Sequence, residues 1–200
     1  MEAQPFAYPL APHVRKHGPR GYRDYDHCRD WLRDEFDFRC VFCLYREQWP
    51  GAQAFEIDHL LPRAKYPEKE CAYENLLYLC RRCNGNKRAK LVPDPCQVAV
   101  GKCLQVQPNG RIAALNLQGR LLVKALRLDN DSYTRMRELM IGILETCFRH
   151  NRPLFVSLMG YPKNLPDLAR LNPPGGNAQP EGAKTSAFAR RERGQLPETY

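Results

Sequence analysis

Hydrophobic positions recur at helical spacing in two segments of the chain. In the first segment, residues 22–37, the apolar positions share one helical face: Tyr25, Cys28, Trp31, Leu32 and Phe36. The second segment runs from about Ser132 to Arg149 and follows the triplet DND, whose residue types commonly cap helices. We predict a helix in each segment, and we assign both apolar faces to core packing.

Shorter apolar runs predict β-strands. Residues 55–57 and 76–79 each favour a short strand, and the segment after Cys83 favours a helix. Further along, the runs KCLQVQ, RIAALNLQ and LLVKAL predict three more short strands. Asn109-Gly110, between the first two of these runs, favours a hairpin turn because both residues tolerate positive φ. The chain is therefore predicted to have an α+β fold.

The two ends of the chain lack this periodicity. Residues 1–21 are rich in Pro, Arg and His, and we predict a flexible, extended basic arm. Residues 172–200 contain too few apolar side chains to form a core, and we predict a disordered tail. The remaining chain divides near its paired prolines into a core, residues 22–95, and an extension, residues 96–171.

Composition narrows the choice of partner and compartment. The 200 residues suffice for one compact domain. A net charge of +9 favours a polyanionic partner, because Lys and Arg release counterions from phosphates. The sequence shows neither a signal peptide nor a run of about 20 apolar residues, which predicts a cytoplasmic protein with no membrane partner. In that reducing compartment, nine cysteines favour metal binding over disulfides.

Two C-x2-C pairs predict a metal site. Cys40 and Cys43 form one pair, Cys80 and Cys83 form the other, and 36 residues separate the pairs. Two such pairs complete the tetrahedral four-cysteine site that Zn2+ prefers. One pair could instead be a thioredoxin-like redox motif, but two pairs in one short segment favour zinc. A closed four-cysteine site has no open position for a substrate, so its expected role is structural.

Polar residues are concentrated between and just after these cysteine pairs. Asp58 and His59 follow the first predicted strand, and Asn75 precedes the second. Asn84 comes directly after the second cysteine pair, and Lys87 follows three residues later. Each residue alone has an ordinary structural explanation, such as closing a turn. Their occurrence together in one segment bounded by zinc ligands favours a shared functional site.

The stretches IDHLLPRAK, ENLLYLC and CRRCN, taken with both cysteine pairs, resemble the HNH endonucleases. The resemblance covers about residues 38–90. It implies a ββα-metal core, here clipped by the four-cysteine zinc site and flanked by helices and a small C-terminal β-hairpin region. It also implies metal-dependent hydrolysis of phosphodiester bonds in DNA, with RNA left open as a substrate.

The same resemblance implies roles for four residues. Asp58 and Asn84 would hold a catalytic Mg2+ or Mn2+ through hard oxygen ligands. His59 would act as the general base that takes a proton from the attacking water. Asn75 would hold the loop and the orientation of His59. The position of Asn84 is often His in this family, and Asn86 is an alternative candidate for the same role.

Basic side chains are concentrated in the same region. Eight Lys or Arg residues and three acidic residues lie between positions 63 and 90. We expect a surface that follows a phosphate backbone, although an ordinary solvated face would have the same composition. Lys87 is the first choice for a phosphate contact, because it lies near the start of a predicted helix. The full set of expected contacts is Arg63, Arg82, Lys87, Arg88 and Lys90.

The extension carries a second resemblance. Its runs NGRIAALN and LRLDNDSYTRMRELMIG resemble the C-terminal half of the HNH proteins that accompany ATPases in Septu-type antiphage systems. This resemblance implies a partner ATPase and a role in antiviral defence. Two alternatives stay open: a zinc-dependent module that binds nucleic acid without cutting it, and a nuclease subunit that is inert until the ATPase binds. The oligomeric state is also left open.

Overall fold

The computed structural model describes residues 4–49 and 55–200. The first three residues of the predicted arm, and residues 50–54 of the predicted core, lie outside these ranges. Helices and small sheets are mixed along the described chain, which confirms the α+β fold class. The strands are β1 Phe55–His59, β2 Leu76–Cys80, β3 Leu104–Val106 and β4 Ile112–Ala114. The helices are α1 Arg29–Glu35, α2 Arg81–Lys87, α3 Leu117–Leu126, α4 Asp131–His150, α5 Arg152–Met159, α6 Pro180–Lys184 and α7 Ala187–Glu192.

The first predicted helix is divided into two parts. A 3-10 turn at Tyr25–Cys28 leads directly into α1. The helix then ends because Asp37 and Phe38 both have positive φ, near +50°. Trp31 and Leu32 are buried, as the apolar pattern predicts. Within residues 4–49 and 55–200, none of the helices combines the length and apolar character that a membrane crossing requires.

Strands β1 and β2 pair antiparallel, and β2 continues directly into α2. The register places Phe55 opposite Cys80 and His59 opposite Leu76. Every residue of β2 is buried, whereas β1 alternates between buried and partly exposed residues. Cys80 ends the strand and also precedes the first residue of α2, so no loop separates the two elements. Regular backbone therefore fixes the second cysteine pair.

β1 is two residues longer than its apolar run indicates. Asp58 and His59 continue the strand because they pair with Leu77 and Leu76 of β2. Alternation along a strand sends neighbouring side chains to opposite faces. His59 lies on the buried face of β1, and Asp58 lies on the face where it contacts Lys87 of α2. The strand therefore separates two side chains that are adjacent in the sequence.

The extension contains a hairpin and a helix where the sequence predicts three strands. β3 and β4 pair antiparallel, and Gly110 in their turn has a φ of +75°, which confirms the hairpin. The third predicted strand is wrong, because LLVKAL lies in α3. A short apolar run fits either element, and Asn116 decides the outcome by capping the helix through the backbone N of Gly119. A Cβ at Gly119 would lie 2.1 Å from the Cys103 carbonyl oxygen, so glycine permits this close packing.

Helix α4 confirms the second predicted helix and extends it by one residue at each end. The Asn130 side chain caps it by accepting a hydrogen bond from the backbone N of Ser132. The Arg137 side chain is buried and donates to the carbonyl oxygens of Gly110 and Leu128. These bonds fasten α4 to the hairpin turn and to the segment after α3.

The described part of the predicted arm, residues 4–21, forms no helix, and it packs against α1 where the sequence predicts a flexible segment. Two buried carboxylates on α1 explain the difference, because a buried carboxylate requires hydrogen-bond partners. Glu35 Oε1 lies 2.7 Å from His13 Nε2 and accepts a hydrogen bond from the backbone N of Lys16 at 2.8 Å. Asp34 Oδ2 lies 2.8 Å from His17 Nε2, and both side chains are buried.

The tail is ordered, which corrects the prediction of disorder. It pairs with the arm at Pro19 and Asn177, and it contains α6 and α7. The backbone N of Ala187 donates to Asp34 Oδ1 at 2.7 Å, and Ala187 packs in a small cluster with Phe38. The low apolar content of this segment led to the wrong prediction, because its backbone groups form hydrogen bonds with the arm and with α1.

Candidate functional site

The two cysteine pairs meet in space, as the sequence predicts. The four Sγ atoms of Cys40, Cys43, Cys80 and Cys83 lie within 4.8 Å of one another, and all four residues are buried. Two Sγ atoms bound to one tetrahedral Zn2+ are expected about 3.8 Å apart, given a Zn–S distance of about 2.3 Å. The observed separation between Cys43 and Cys80 Sγ is 3.6 Å. Both the ligand type and the spacing therefore fit a structural zinc ion.

Electrostatics within the cluster also favours metal binding. Hydrogen bonds from the neighbouring thiols, Cys40 first, hold the pKa of Cys80 far below its ordinary value. For Cys43, hydrogen bonds with the other three thiols, Cys40 first, act together with burial to raise the pKa well above its ordinary value. Cys80 therefore forms a thiolate readily, and Cys43 loses its proton when a cation compensates the charge. The Tyr133 hydroxyl of α4 lies 3.2 Å from Cys83 Sγ, which joins the extension to the cluster.

Asp58 and Lys87 form an ion pair between β1 and α2. Lys87 Nζ lies 2.9 Å from Asp58 Oδ2 and donates to the carbonyl oxygen of His59 at 2.6 Å. The Lys87 side chain is 0% exposed, and the Asp58 side chain is 12% exposed. Lys87 therefore does not reach a phosphate backbone, which corrects its assignment as the leading phosphate contact. The sequence does not reveal that Lys87 is buried, because one buried Lys among several exposed basic residues has no distinguishing pattern.

His59 is held in a defined orientation on the other face of β1. Its Nε2 lies 2.9 Å from the carbonyl oxygen of Glu70, and its ring packs edge-on against Tyr25. A carbonyl oxygen only accepts hydrogen bonds, so Nε2 carries the proton in the neutral ring. Nδ1 is then the basic nitrogen. The arrangement leaves the imidazole able to accept a proton at one known atom.

Asn75 closes the loop that supplies the partner of His59. Its Oδ1 accepts from the backbone N of Leu61, and its Nδ2 donates to the carbonyl oxygens of Leu61 and Lys69. Its own carbonyl oxygen accepts from the backbone N of Leu60. Lys69 immediately precedes Glu70, so Asn75 fixes the backbone that carries the carbonyl contacting His59. These contacts fit the positioning role expected for Asn75.

Asn84 and Asn86 point to different parts of the structure. Asn84 Nδ2 donates to Glu56 Oε2 at 2.6 Å, which places the Asn84 amide against β1. Asn86 Nδ2 donates to the carbonyl oxygen of Leu126 in α3. Asn84 is thus the one of the two that contacts the strand carrying Asp58. Glu56 was absent from the predicted site, although its position two residues before Asp58 could have indicated a shared face of the strand.

The other predicted phosphate contacts lie on the surface. Arg63, Arg82, Arg88 and Lys90 are exposed. The Arg82 guanidinium lies over the ring of Tyr133, with 4.6 Å between the charged carbon and the ring centre. Lys90 Nζ donates to two backbone carbonyl oxygens, at 2.9 and 3.0 Å.

The two residues predicted to bind a second metal ion lie on neighbouring elements, Asp58 on β1 and Asn84 on α2. Asp58 contributes a carboxylate, and Asn84 contributes an amide oxygen. Among the described residues, no donor is aligned for a hydrogen bond to Asp58 Oδ2, although that atom is buried and paired in charge with Lys87. An oxygen of this kind can still accept a ligand bond. The set fits a hard divalent cation such as Mg2+ or Mn2+.

Comparison with known proteins agrees with this geometry. Residues 40–90 match the HNH endonuclease family model. This HNH segment contains both cysteine pairs, β1, β2 and α2. The chain is also similar to Septu protein PtuB from Bacillus thuringiensis, with 39% identity over 49 residues. That alignment covers 24% of this chain and 19% of the relative.

Proposed function

We propose that this protein is a metal-dependent endonuclease that hydrolyses phosphodiester bonds in DNA. The observation that supports this most strongly is the pairing of His59 with the carbonyl oxygen of Glu70, with the carboxylate of Asp58 on the opposite face of the same strand. Binding to nucleic acid needs neither an oriented imidazole nor oxygen ligands for a metal. The rival function of a non-catalytic zinc module leaves both features without a use.

His59 is the proposed general base. With the proton on Nε2 held by the Glu70 carbonyl oxygen, Nδ1 takes a proton from the water that attacks phosphorus. The water's oxygen forms the new bond to phosphorus as the bond to the leaving 3′ oxygen breaks. Asn75 keeps the supporting loop in place through its bonds to Leu61 and Lys69. The imidazole therefore needs little reorganisation when the water arrives.

Asp58 and Asn84 are the proposed ligands of the catalytic cation, Mg2+ or Mn2+. When bound, this cation would stabilise negative charge on the phosphate and on the leaving oxygen. The Asp58 carboxylate is fixed by Lys87, and the Asn84 amide is fixed by Glu56. The four-cysteine site would bind Zn2+ and join the segment that carries Cys40 and Cys43 to the junction of β2 and α2, without entering the reaction.

The substrate proposal rests on charge. The net charge is +9, and Arg63, Arg82 and Arg88 are exposed in or beside the HNH segment's strands and helix. Exposed cations of this kind bind nucleic acid through its phosphates and therefore do not select a sequence. We also propose a cytoplasmic location, because a cluster of four thiols suits a reducing compartment.

A cleavage assay tests the proposal. Zinc-loaded protein would be incubated with supercoiled plasmid and, separately, with single-stranded RNA, with Mg2+, with Mn2+ or with a chelator. We expect metal-dependent nicking or linearisation of the plasmid. His59→Ala should reduce the rate by about 10^2–10^4-fold, the usual contribution of a general base. The exposed His150→Ala is the matched control and should cut normally. A His59→Ala protein as active as the wild type would overturn the assignment.

We also propose that this nuclease acts in antiphage defence together with a partner ATPase. The similarity to Septu protein PtuB and the Septu-like runs of the extension support this proposal. A nuclease subunit that waits for its partner would be inactive in the plasmid assay. Expression in a bacterial host, with and without a co-expressed candidate ATPase, followed by phage infection, separates the two cases. Protection that requires both proteins and His59 supports the proposal, and protection unaffected by His59→Ala contradicts it.

A further inference from the structure

The Asn84 amide is held by a partner that can bind only one of its two ends. Asn84 Nδ2 donates to Glu56 Oε2 at 2.6 Å. An ionised carboxylate accepts hydrogen bonds and has none to donate. Glu56 therefore binds the NH2 group of Asn84 and repels its oxygen. The Asn84 Oδ1 atom must then point away from Glu56.

Three features keep Glu56 in this position. Glu56 and Asp58 are separated by one residue in β1, so they lie on the same face of the strand. Glu56 pairs with Leu79 in the register of the two strands, which fixes its backbone. Arg81 Nε lies 4.0 Å from Glu56 Oε1, so a positive charge lies beside the other oxygen of the Glu56 carboxylate.

We propose that Glu56 is a positioning residue that orients the Asn84 amide so that Oδ1 faces the metal. This inference rests on the proposed function, because it assigns a task to a residue beside the proposed metal ligands. Without Glu56, the amide can rotate by half a turn and present NH2 to the cation. An NH2 group does not bind a cation, so part of the population would lack one ligand. The expected result is weaker metal binding.

Direct metal binding provides the test. Mn2+ would be titrated into zinc-loaded protein, and the loss of the electron paramagnetic resonance signal of free Mn2+ would give the affinity. Glu56→Ala should weaken Mn2+ binding by about tenfold, the lower end of the effect of removing a group that orients a metal ligand. Glu68→Ala, which removes an exposed acid elsewhere in the HNH segment, is the control for lost charge. Thermal unfolding should show that both variants remain folded.

A second background separates orientation from direct binding. In Asn84→Asp, both side-chain oxygens are equivalent, so the ligand needs no orientation. Glu56→Ala should then leave Mn2+ affinity unchanged or increase it, because it removes a repelling carboxylate. If Glu56→Ala weakens binding tenfold in this background too, Glu56 acts on the cation itself and the inference is overturned.

The two proposals fail in different ways. Wild-type protein that binds Mn2+ with the expected dependence on Glu56 but cuts neither DNA nor RNA overturns the proposed function and supports the role of Glu56. Wild-type protein that cuts, with Mn2+ binding indifferent to Glu56→Ala, overturns the role of Glu56 alone. Wild-type protein that binds no Mn2+ at millimolar concentration overturns the role of Glu56, and the cleavage assay then decides the function.

Discussion

Lys87 Nζ lies 2.9 Å from Asp58 Oδ2, and the lysine side chain is completely buried. The same ammonium donates to the carbonyl oxygen of His59, so one cation joins α2 to two consecutive residues of β1. Lys87 was predicted to contact nucleic acid, but its observed contacts join α2 to the strand that carries Asp58 and His59. Its charge compensates a carboxylate that would otherwise be costly to bury.

Replacing Lys87 should destabilise the fold. Lys87→Met retains most of the side-chain volume but leaves the Asp58 carboxylate without its cation. We expect the free energy of unfolding to fall by about 3 kcal/mol, as is typical when one partner of a buried pair is removed. Urea denaturation of zinc-loaded protein measures this loss. Arg88→Met, which removes the neighbouring exposed charge, should change stability by less than about 0.5 kcal/mol. If Lys87→Met lowers the free energy of unfolding no more than Arg88→Met does, the ion pair does not stabilise the fold.

The zinc site should be stoichiometric and necessary for folding. Elemental analysis should find about one Zn2+ per chain, and Cys80→Ser should unfold the HNH segment because structural zinc contributes folding free energy directly. Cys96→Ser is the matched control, since Cys96 lies outside the cluster. Well-folded wild-type protein without zinc would contradict this prediction.

The hydroxyl of Tyr133 should strengthen zinc binding. Tyr133→Phe removes the group that lies 3.2 Å from Cys83 Sγ but keeps the buried ring. Groups that contact metal ligands typically change metal affinity by about 10–100-fold when removed. Competition with a chromogenic zinc chelator should therefore show at least about tenfold weaker retention. Retention equal to that of the wild type would mean that the contact has no role at the metal.

The packing of the tail on the arm should be visible in stability. A Cβ at Gly182 would lie 1.8 Å from the Lys16 carbonyl oxygen, so Gly182→Ala should push α6 away from the arm. We expect a loss of about 2 kcal/mol or more, seen as a fall in melting temperature of about 4–8 °C. Gly142→Ala in α4 meets nothing within 4 Å and should be neutral or stabilising. A neutral Gly182→Ala would indicate that the tail does not pack on the arm.

Stability should fall in acid because of Glu35. Burial alone would raise the pKa of Glu35, but hydrogen bonds from His13 and Lys16 outweigh it and hold the pKa below its ordinary value of 4.5. A lowered pKa in the folded state contributes stability above about pH 4.5, and this contribution is lost as the pH falls further. The difference in unfolding free energy between wild type and Glu35→Gln should therefore be larger at pH 7 than at pH 3.5. The exposed Glu68→Gln should show no such change, and a difference independent of pH would refute the role of Glu35.

The sequence alone determined the parts of this protein that depend on local pattern. The cysteine spacing indicated the four-thiolate cluster, because the two cysteines of a C-x2-C pair can bind the same ion. The adjacent Asp58 and His59 led to the proposal of a site at the end of β1, and Asn75 entered that proposal through its place before β2. The helix α4 followed from its apolar stripe and its cap at Asn130.

Only the tertiary structure decided which residues far apart in the sequence contact one another in the interior. Lys87 is buried because the Asp58 carboxylate and the His59 carbonyl oxygen are its partners there. Glu56 belongs to the proposed site because its carboxylate accepts a hydrogen bond from the Asn84 amide. The tail is ordered because its backbone finds partners on the arm and on Asp34, more than 150 residues away in the chain. The sequence does not show whether a charged or hydrogen-bonding residue lies in water or in the interior. The free energy of burying such a residue depends on the groups around it, and these are known only from the tertiary structure.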